Sequence, residues 1–302
     1  MGICYSYCLN KDANIHAVIN PLDETSKSLC EYEIVLKIPH GTTCFHANES
    51  TSFEWKCNED VNKVLKNLYK DLHLEHWIVY NDETPIKTIS TGAHAKGIIA
   101  WNNRVVTWLI HSVPKFPTEF NGTNEFPEIN HSELEYGQSF IFIKIDIEHL
   151  ENIMKQLFIM HPAIYITNVN CDEYRKNYKH ETSNIYKINN ELYHATKSPN
   201  DHKDLYEDIV LPKFGGCCYT ETWVRGHQCI DTNQCKMIQK IHWNNNIVYK
   251  YTHDHSKFCY SEMGWVMIGD INRMTTQFKR GGGGIIIHNK KISELFKTIM
   301  QL

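Results

Sequence analysis

Gly92-Ala93-His94-Ala95-Lys96-Gly97 and, far downstream, Asp254-His255-Ser256-Lys257 are the stretches whose reading decides the fold. Both carry His-x-Lys, and both lead into an apolar run with a small polar terminus. The first run ends at Ile110 before His111-Ser112, the second at Ile268 before Gly269-Asp270. On a strand, residues i and i+2 point to the same side. His94 and Lys96 therefore face one site, and so do His255 and Lys257. A lone His-x-Lys is usually just a surface strand. Two copies with matching sequels predict an internal duplication whose halves meet around one phosphodiester.

Cutting a phosphodiester without a metal needs a nucleophile, a proton donor for the leaving oxygen, and cations for the equatorial oxygens. Two histidines and two lysines supply all three. One imidazole attacks and becomes a phosphohistidine. The other, protonated, releases the leaving group and then activates water. The spacing does not say which histidine attacks. Asp254 or Asp270 is expected to orient one imidazole. Asn272 reads as a phosphate donor or a turn residue, and His111 as a site residue or a satisfied core histidine.

Outward from these motifs, the distribution of apolar residues predicts strands over 31–38, which alternates, and over 76–80, 139–147 and 163–167. It also predicts a hairpin of 98–101 and 104–110 around Asn102-Asn103. Helices are expected over 61–72, where Val61, Val64, Leu65, Leu68 and Leu72 share a face, over about 148–158, and near 290–301. Residues 170–210 are polar and read as loop-rich. Residues 220–230, 235–243 and 247–251 look extended, with a turn at Asn244-Asn245-Asn246. Gly281 to Gly284 lack the Gly-Lys-Ser/Thr ending of a P-loop. They read as a close backbone approach to the site or to DNA, or as a flexible surface loop. The halves divide near 150–160, into residues 1–155 and 156–302.

The bulk numbers narrow the class. With 302 residues and 42% hydrophobic content, the chain can bury one large core or two medium ones. No apolar run reaches membrane-span length, and no secretory h-region opens the chain, so Met1 reads as an added start on a mature form. Eleven cysteines (4, 8, 30, 44, 57, 171, 217, 218, 229, 235 and 259) show no tetrahedral-zinc spacing, so no metal or cofactor is expected. Disulfides in an oxidising compartment fit better, with one thiol left over. Asn48, Asn121 and Asn130 open glycosylation sequons, which also favours a secreted or lysosomal protein. The net charge of −4 is wrong for a polyanion binder, but protonating all 18 histidines would carry it to +14.

These residues resemble the deoxyribonuclease II family of acid endonucleases. The resemblance lies in the two His-x-Lys segments, in His111-Ser112-Val113-Pro114-Lys115-Phe116-Pro117, in Gly269-Asp270-Ile271-Asn272-Arg273 and in the run from Arg280 to Gly284. Weaker echoes are Tyr80-Asn81-Asp82, Pro162 to Tyr165 and Asp204-Leu205-Tyr206. The resemblance runs from about residue 31 to the end. It implies an α/β, phospholipase D-like pseudo-dimer of two related halves, with mixed sheets flanked by helices. It further implies metal-independent cleavage of double-stranded DNA at acidic pH, leaving 3'-phosphate and 5'-hydroxyl ends. His94, Lys96, His255 and Lys257 match its catalytic positions, and His111 and Asn272 match site-lining ones. Family proteins form monomers or homodimers.

The sequence departs from the family in an extra alanine before His94. It also has Val266-Met267-Ile268 and Ile285-Ile286-Ile287 where some relatives place cysteines, so no disulfide pattern is carried over. Two other classes compete: a catalytically silent secreted DNA-binding protein, and a phospholipase D-type phosphodiesterase acting on lipid.

Overall fold

Two large sheets stacked about a shared interior organise the chain. The computed structural model describes residues 28–224, 231–244 and 246–300. The first sheet has eight strands: β1 (Cys30–Lys37), β2 (Thr43–Asn48), β3 (Lys56–Asp60), β4 (His76–Asn81), β5 (Lys96–Trp101), β6 (Val105–His111), β7 (Gln138–Asp146) and β8 (Ile164–Thr167). Their spatial order is β3-β2-β1-β7-β6-β5-β4-β8. The second sheet has seven: β9 (Asn184–Lys187), β10 (Leu192–Lys197), β11 (Cys218–Thr222), β12 (Cys235–Met237), β15 (Lys257–Ser261), β16 (Trp265–Gly269) and β17 (Gly282–Ile287), in the order β12-β11-β15-β16-β17-β10-β9. It is mixed, since β11 and β12 run parallel. A separate hairpin joins β13 (Lys240–Asn244) to β14 (Ile247–Lys250).

Strand alternation splits the apolar side chains between the two faces of each sheet. Ile34, Ile99, Trp108 and Ile143 of the first sheet share one core with Phe258, Val266 and Ile285 of the second. Helices α3 (Leu150–Ile159) and α6 (Lys290–Ile299) contribute Leu157 and Phe296 to that core. The opposite face of the first sheet, with Val35, Ile98 and Phe140, is covered by α1 (Val61–Lys70) through Val61, Val64, Leu65 and Leu68. Asp60 starts α1 by accepting from the Lys63 amide at 3.1 Å, and Asn289 does the same for α6. The opposite face of the second sheet is covered by a one-turn π-helix, Leu205–Val210, and α5 (Leu211–Phe214). Between these lie two short helices, α2 (His131–Leu134) and α4 (Asp172–Tyr178). This is the phospholipase D-like pseudo-dimer that the sequence resemblance implies.

Three expectations are corrected. Residues 170–210 are not loop-rich: they hold α4, β9, β10 and the π-helix, and β10 lies between β17 and β9. Its polar residues concealed it, because they are buried against partners distant in sequence, in α3 and in the 277–280 turn. The His194 ring pairs with Gln156 Oε1 at 3.2 Å, and Thr196 Oγ1 donates to the Gln156 carbonyl at 3.0 Å. The glycine run is not a flexible surface loop, and its close backbone approach is to the segment that carries His94. Gly282 to Gly284 are buried in β17, and a Cβ on Gly281 would lie 2.0 Å from the Met160 carbonyl oxygen. The close approach is to the protein's own backbone. The expected disulfides are not formed among the described residues, where Cys30, Cys44, Cys57, Cys171, Cys217, Cys218, Cys235 and Cys259 are thiols. Cys44 packs on the outer face of the first sheet, away from Cys218, Cys235 and Cys259, which cluster as thiols on that of the second, with Cys218 opposite Cys235. Cys4, Cys8 and Cys229 lie outside the described residues, as does Asn245 in the middle of the turn read at Asn244 to Asn246.

Candidate active site

Each His-x-Lys enters its sheet at the start of a central strand, β5 or β15, and each histidine is held by the other sheet's backbone. The His94 amide donates to the Gly281 carbonyl at 2.8 Å, and the Gly281 amide to the Gly92 carbonyl at 3.1 Å. In the second half, the His255 amide donates to the Gly137 carbonyl at 2.8 Å, and the Gly137 amide to the His253 carbonyl at 2.8 Å. Gly281 immediately precedes β17 and Gly137 immediately precedes β7, so the two braces are equivalent by a pseudo-two-fold. The next layer repeats too. Asp270 donates its amide to the Gly283 carbonyl at 3.1 Å, as Ser112 does to Ser139 at 3.0 Å. The duplication read from two short motifs is thus written in the hydrogen bonds.

The four groups are nearly buried: His94 is 9% exposed, His255 8%, Lys96 1% and Lys257 2%. The two histidines are somewhat more exposed than the two lysines. The His94 ring contacts the Asp270 main-chain oxygen through Nδ1 at 2.6 Å. A carbonyl can only accept, so Nδ1 carries the proton and Nε2 keeps its lone pair. Burial lowers the His94 pKa to about 3, against the pull of Asp82, so the ring stays neutral in mild acid. The His255 ring stacks on Tyr136 at 4.1 Å between centroids and leans on Trp223 at 4.4 Å. Its Nδ1 stands 3.8 Å from Glu133 Oε2. A neutral ring with a free lone pair and a ring beside a carboxylate are differently prepared.

The cations are equally specific. Lys96 Nζ meets Asp82 Oδ1 at 2.5 Å, and Arg280, from the second half, meets Asp82 Oδ2 at 3.1 Å. Burial alone would raise the Asp82 pKa, but Lys96, His94 and Arg280 together hold it well below the carboxylate range. Lys257 Nζ donates to the His255 carbonyl, and burial followed by repulsion from Lys96 lowers its pKa to about 8. Lys257 therefore remains an ammonium ion in acid. Asp82, Glu83 and His94 bring ligand atoms within 4.8 Å of one another. Both Asp82 oxygens, however, already serve cations from the protein.

The remaining expected residues fall as follows. Asp270 orients His94, but through its main chain, while its carboxylate accepts from the Gly283 amide at 2.8 Å. The Asp254 carboxylate accepts from the Ser256 amide at 2.8 Å, and the carboxylate facing the His255 ring is Glu133. His111 lies at the end of β6 beside Lys96, with burial lowering its pKa to about 3. Its Nδ1 accepts from the Val113 amide at 3.2 Å, and its buried Nε2 has no hydrogen-bond partner. Asn272 is 5% exposed with Oδ1 also unpartnered. Asn121 and Asn130 are exposed, whereas Asn48 is half-buried with Nδ2 donating to Glu33 at 2.9 Å.

Sequence reasoning missed Asp82, Glu133, Tyr136, Trp223, Glu221 and Arg280 as site residues. For Asp82 the signal was present in the weak echoes, which are struts. Asn81 Nδ2 donates to the Val113 and Phe116 carbonyls at 3.2 and 2.9 Å, locking the His111–Pro117 block to the Asp82 loop. The Tyr165 hydroxyl donates to the Pro117 carbonyl at 2.7 Å. Asp204 pairs with Arg273 at 2.8 Å, and the Tyr206 hydroxyl donates to the Ile271 carbonyl at 2.8 Å, fixing the segment that carries Asp270 and Asn272.

Glu221 is fully buried near Lys257, and neither carboxyl oxygen has a hydrogen-bond partner. Burial and Asp254 push its pKa well above normal. A carboxyl raised in this way leaves the fold unpenalised while protonated and weakens it as pH climbs through the folded pKa. Glu221→Gln is therefore expected to be more stable than wild type to urea at about pH 7.5. The difference should vanish near about pH 4, where both states protonate the carboxyl. Equal stability at both pH values would contradict this. The buried imidazoles of His94, His111 and His194 act in the opposite sense, their contribution draining away as pH falls below about 6.5.

Comparison with known proteins places the chain in a family. The family described as Deoxyribonuclease II matches residues 47–302. Deoxyribonuclease-2 of Caenorhabditis elegans is 32% identical over 240 residues, covering 70% of this chain and 61% of the relative. Cell death-related nuclease 6 of the same organism is 30% identical over 282 residues, covering 80% and 73%. Plancitoxin-1 of Acanthaster planci is 28% identical over 265 residues, covering 78% and 72%. The match spans both His-x-Lys segments and every strut around them, and on that ground the chain belongs to the deoxyribonuclease II family.

Proposed function

We propose that the protein is an acid endodeoxyribonuclease that hydrolyses double-stranded DNA without a metal, leaving 3'-phosphate and 5'-hydroxyl ends. The observation that carries this reading is the reciprocal brace, in which each half's backbone holds the other half's histidine. In this reading His94 Nε2 attacks phosphorus. The bond to the 5'-oxygen breaks, and protonated His255 gives that oxygen its proton. Neutral His255 then takes a proton from water, whose oxygen displaces His94 and frees the 3'-phosphate. Lys96 and Lys257 stabilise the equatorial oxygens, and the unpartnered His111 Nε2–H offers a further donor. Stacking on Tyr136 and the nearby Glu133 carboxyl hold the His255 ring in place.

Binding is backbone-directed in this account and therefore weakly selective. Lys87 and Lys115 are exposed on the loops joined to Asp82 and Glu83, where they can reach flanking phosphates. Buried His94, His111 and His194 stay neutral in mild acid, so the +14 ceiling is not reached. An acidic lysosomal or secretory setting, with glycans at Asn121 and Asn130, fits this behaviour. A lipid phosphodiesterase would want an apolar entrance. Among the described residues the exposed large apolar side chains are only Ile86, Val248 and Met263.

The test is cleavage of supercoiled plasmid at about pH 5 with excess chelator. Nicking and linearisation with 3'-phosphate ends are expected. Activity that disappears with the chelator would overturn the metal-independent mechanism. Binding without turnover would favour a silent DNA-binding protein.

A further inference from the structure

Two buried lysines lie outside both His-x-Lys segments. Lys37 ends β1 and is fully buried, as is Lys197 at the end of β10. The pairing register makes them equivalents: Lys37 stands opposite Gln138, the first residue of β7, and Lys197 opposite Gly282, the first residue of β17. Each ammonium is spent on main-chain oxygens. Lys37 Nζ donates to the carbonyls of Ile38 at 2.8 Å, Leu134 at 2.7 Å and Tyr136 at 2.7 Å. Lys197 Nζ donates to the carbonyls of Gln277 at 3.4 Å, Phe278 at 2.7 Å and Arg280. Leu134 and Tyr136 precede β7 by the same offsets as Phe278 and Arg280 precede β17.

What these two turns deliver is the point of contact between halves. The turn gripped by Lys37 carries Tyr136, which stacks on His255, and ends at Gly137, which brackets His255 by backbone hydrogen bonds. It also carries Glu133 at its start, 3.8 Å from the His255 ring. The turn gripped by Lys197 carries Arg280, which pairs with Asp82, and ends at Gly281, which brackets His94. A desolvated ammonium is a costly way to stabilise a turn. Three convergent carbonyl contacts, however, fix a turn's position more tightly than apolar packing does. Using the same device twice, at equivalent sites, goes beyond a local stabilising role.

We propose that Lys37 and Lys197 are positioning residues, each setting the turn through which its own half aligns the opposite half's histidine. The proposal rests on the two-histidine reading above for its effect on cleavage, but its structural part does not. Lys37 sets the surroundings of His255, and Lys197 those of His94 and of the Asp82 pair with Lys96. Neither lysine touches the reacting atoms.

The experiment pairs Lys37→Met with Lys197→Met in the full chain, each checked for folding by circular dichroism. Steady-state cleavage of a DNA duplex is measured at about pH 5, and the histidine Cε1–Hε1 signals are titrated by NMR without DNA. Lys37→Met should lower kcat about tenfold to a hundredfold with KM nearly unchanged, the cost of an ångström-scale misplacement. It should also shift the His255 titration midpoint while the His94 signals stay. Lys197→Met should give the mirror pattern, moving the His94 signals and sparing His255. Should Lys37→Met fail to fold, Tyr136→Leu removes the stacked ring at a half-buried position and must reproduce the His255 shift and the kcat loss. A loss of stability with both rings' signals unmoved, or shifts common to all histidines, would overturn the proposal. The NMR readout is independent of turnover. A wild type that cuts no DNA but shows the crossed shifts would sink the nuclease reading alone.

Discussion

Replacing His94 or His255 by alanine is expected to reduce DNA cleavage by about 10⁴-fold or more, with folding retained. The double variant should be scarcely worse than either single one, because the two rings serve one reaction. The two singles should separate on an activated substrate. In thymidine 3'-(p-nitrophenyl phosphate) the leaving phenolate needs no proton, so His255→Ala should recover much of its first step. His94→Ala should recover nothing, since it lacks the attacking nitrogen. This asymmetry follows from the His94 ring, whose Nδ1 proton is committed to the Asp270 carbonyl at 2.6 Å. Recovery in His94→Ala and not in His255→Ala would reverse the roles. Full activity in either variant on DNA would remove the two-histidine site altogether.

Asp82→Ala carries the largest expected loss of stability. Asp82 is 1% exposed and binds Lys96 at 2.5 Å and Arg280 at 3.1 Å, one cation from each half. Removing it leaves Lys96 buried with only Glu83, at 3.6 Å, as a carboxylate, and leaves Arg280 with only the Gly92, Ile89 and Ala93 carbonyls, at a cost of about 3–5 kcal/mol. Urea denaturation at about pH 7 measures it. Cleavage should fall by about a hundredfold as well, because Lys96 loses its aim. The folded pKa of Asp82 is depressed, so its contribution is present above the ordinary carboxylate range and is lost only as pH falls below it. At about pH 5 the pair is still intact, so the site remains assembled where an acid nuclease would work. A variant as stable as wild type would show that the interlocked pair is not structural.

Legibility followed side-chain chemistry. α1 was readable because Val61, Val64, Leu65 and Leu68 share one apolar face, and β1, β7 and the β5–β6 hairpin because they are apolar runs buried on both faces. β10 was not, because His194, Thr196 and Lys197 are buried polar residues whose partners, Gln156 and the 277–280 turn, lie far off in sequence. The glycine run was left between a close approach and a flexible loop for a related reason. Its demand for small residues comes from Met160 and His194, which no local pattern reveals. Within the site, the His-x-Lys repeat located four groups and the fold class together. Asp82 and Glu133 stayed hidden because a carboxylate acts here by facing a ring or an ammonium from another element. Asp270 was expected to orient an imidazole by its side chain and does so by its carbonyl, a distinction that depends on backbone geometry alone.

The most direct measurement is to trap the covalent intermediate. His255→Ala mixed with thymidine 3'-(p-nitrophenyl phosphate), quenched in alkali and mapped by mass spectrometry, is predicted to carry one nucleotidyl-phosphate adduct on His94. An adduct on another residue, or release of nitrophenol with no adduct formed, would contradict the account.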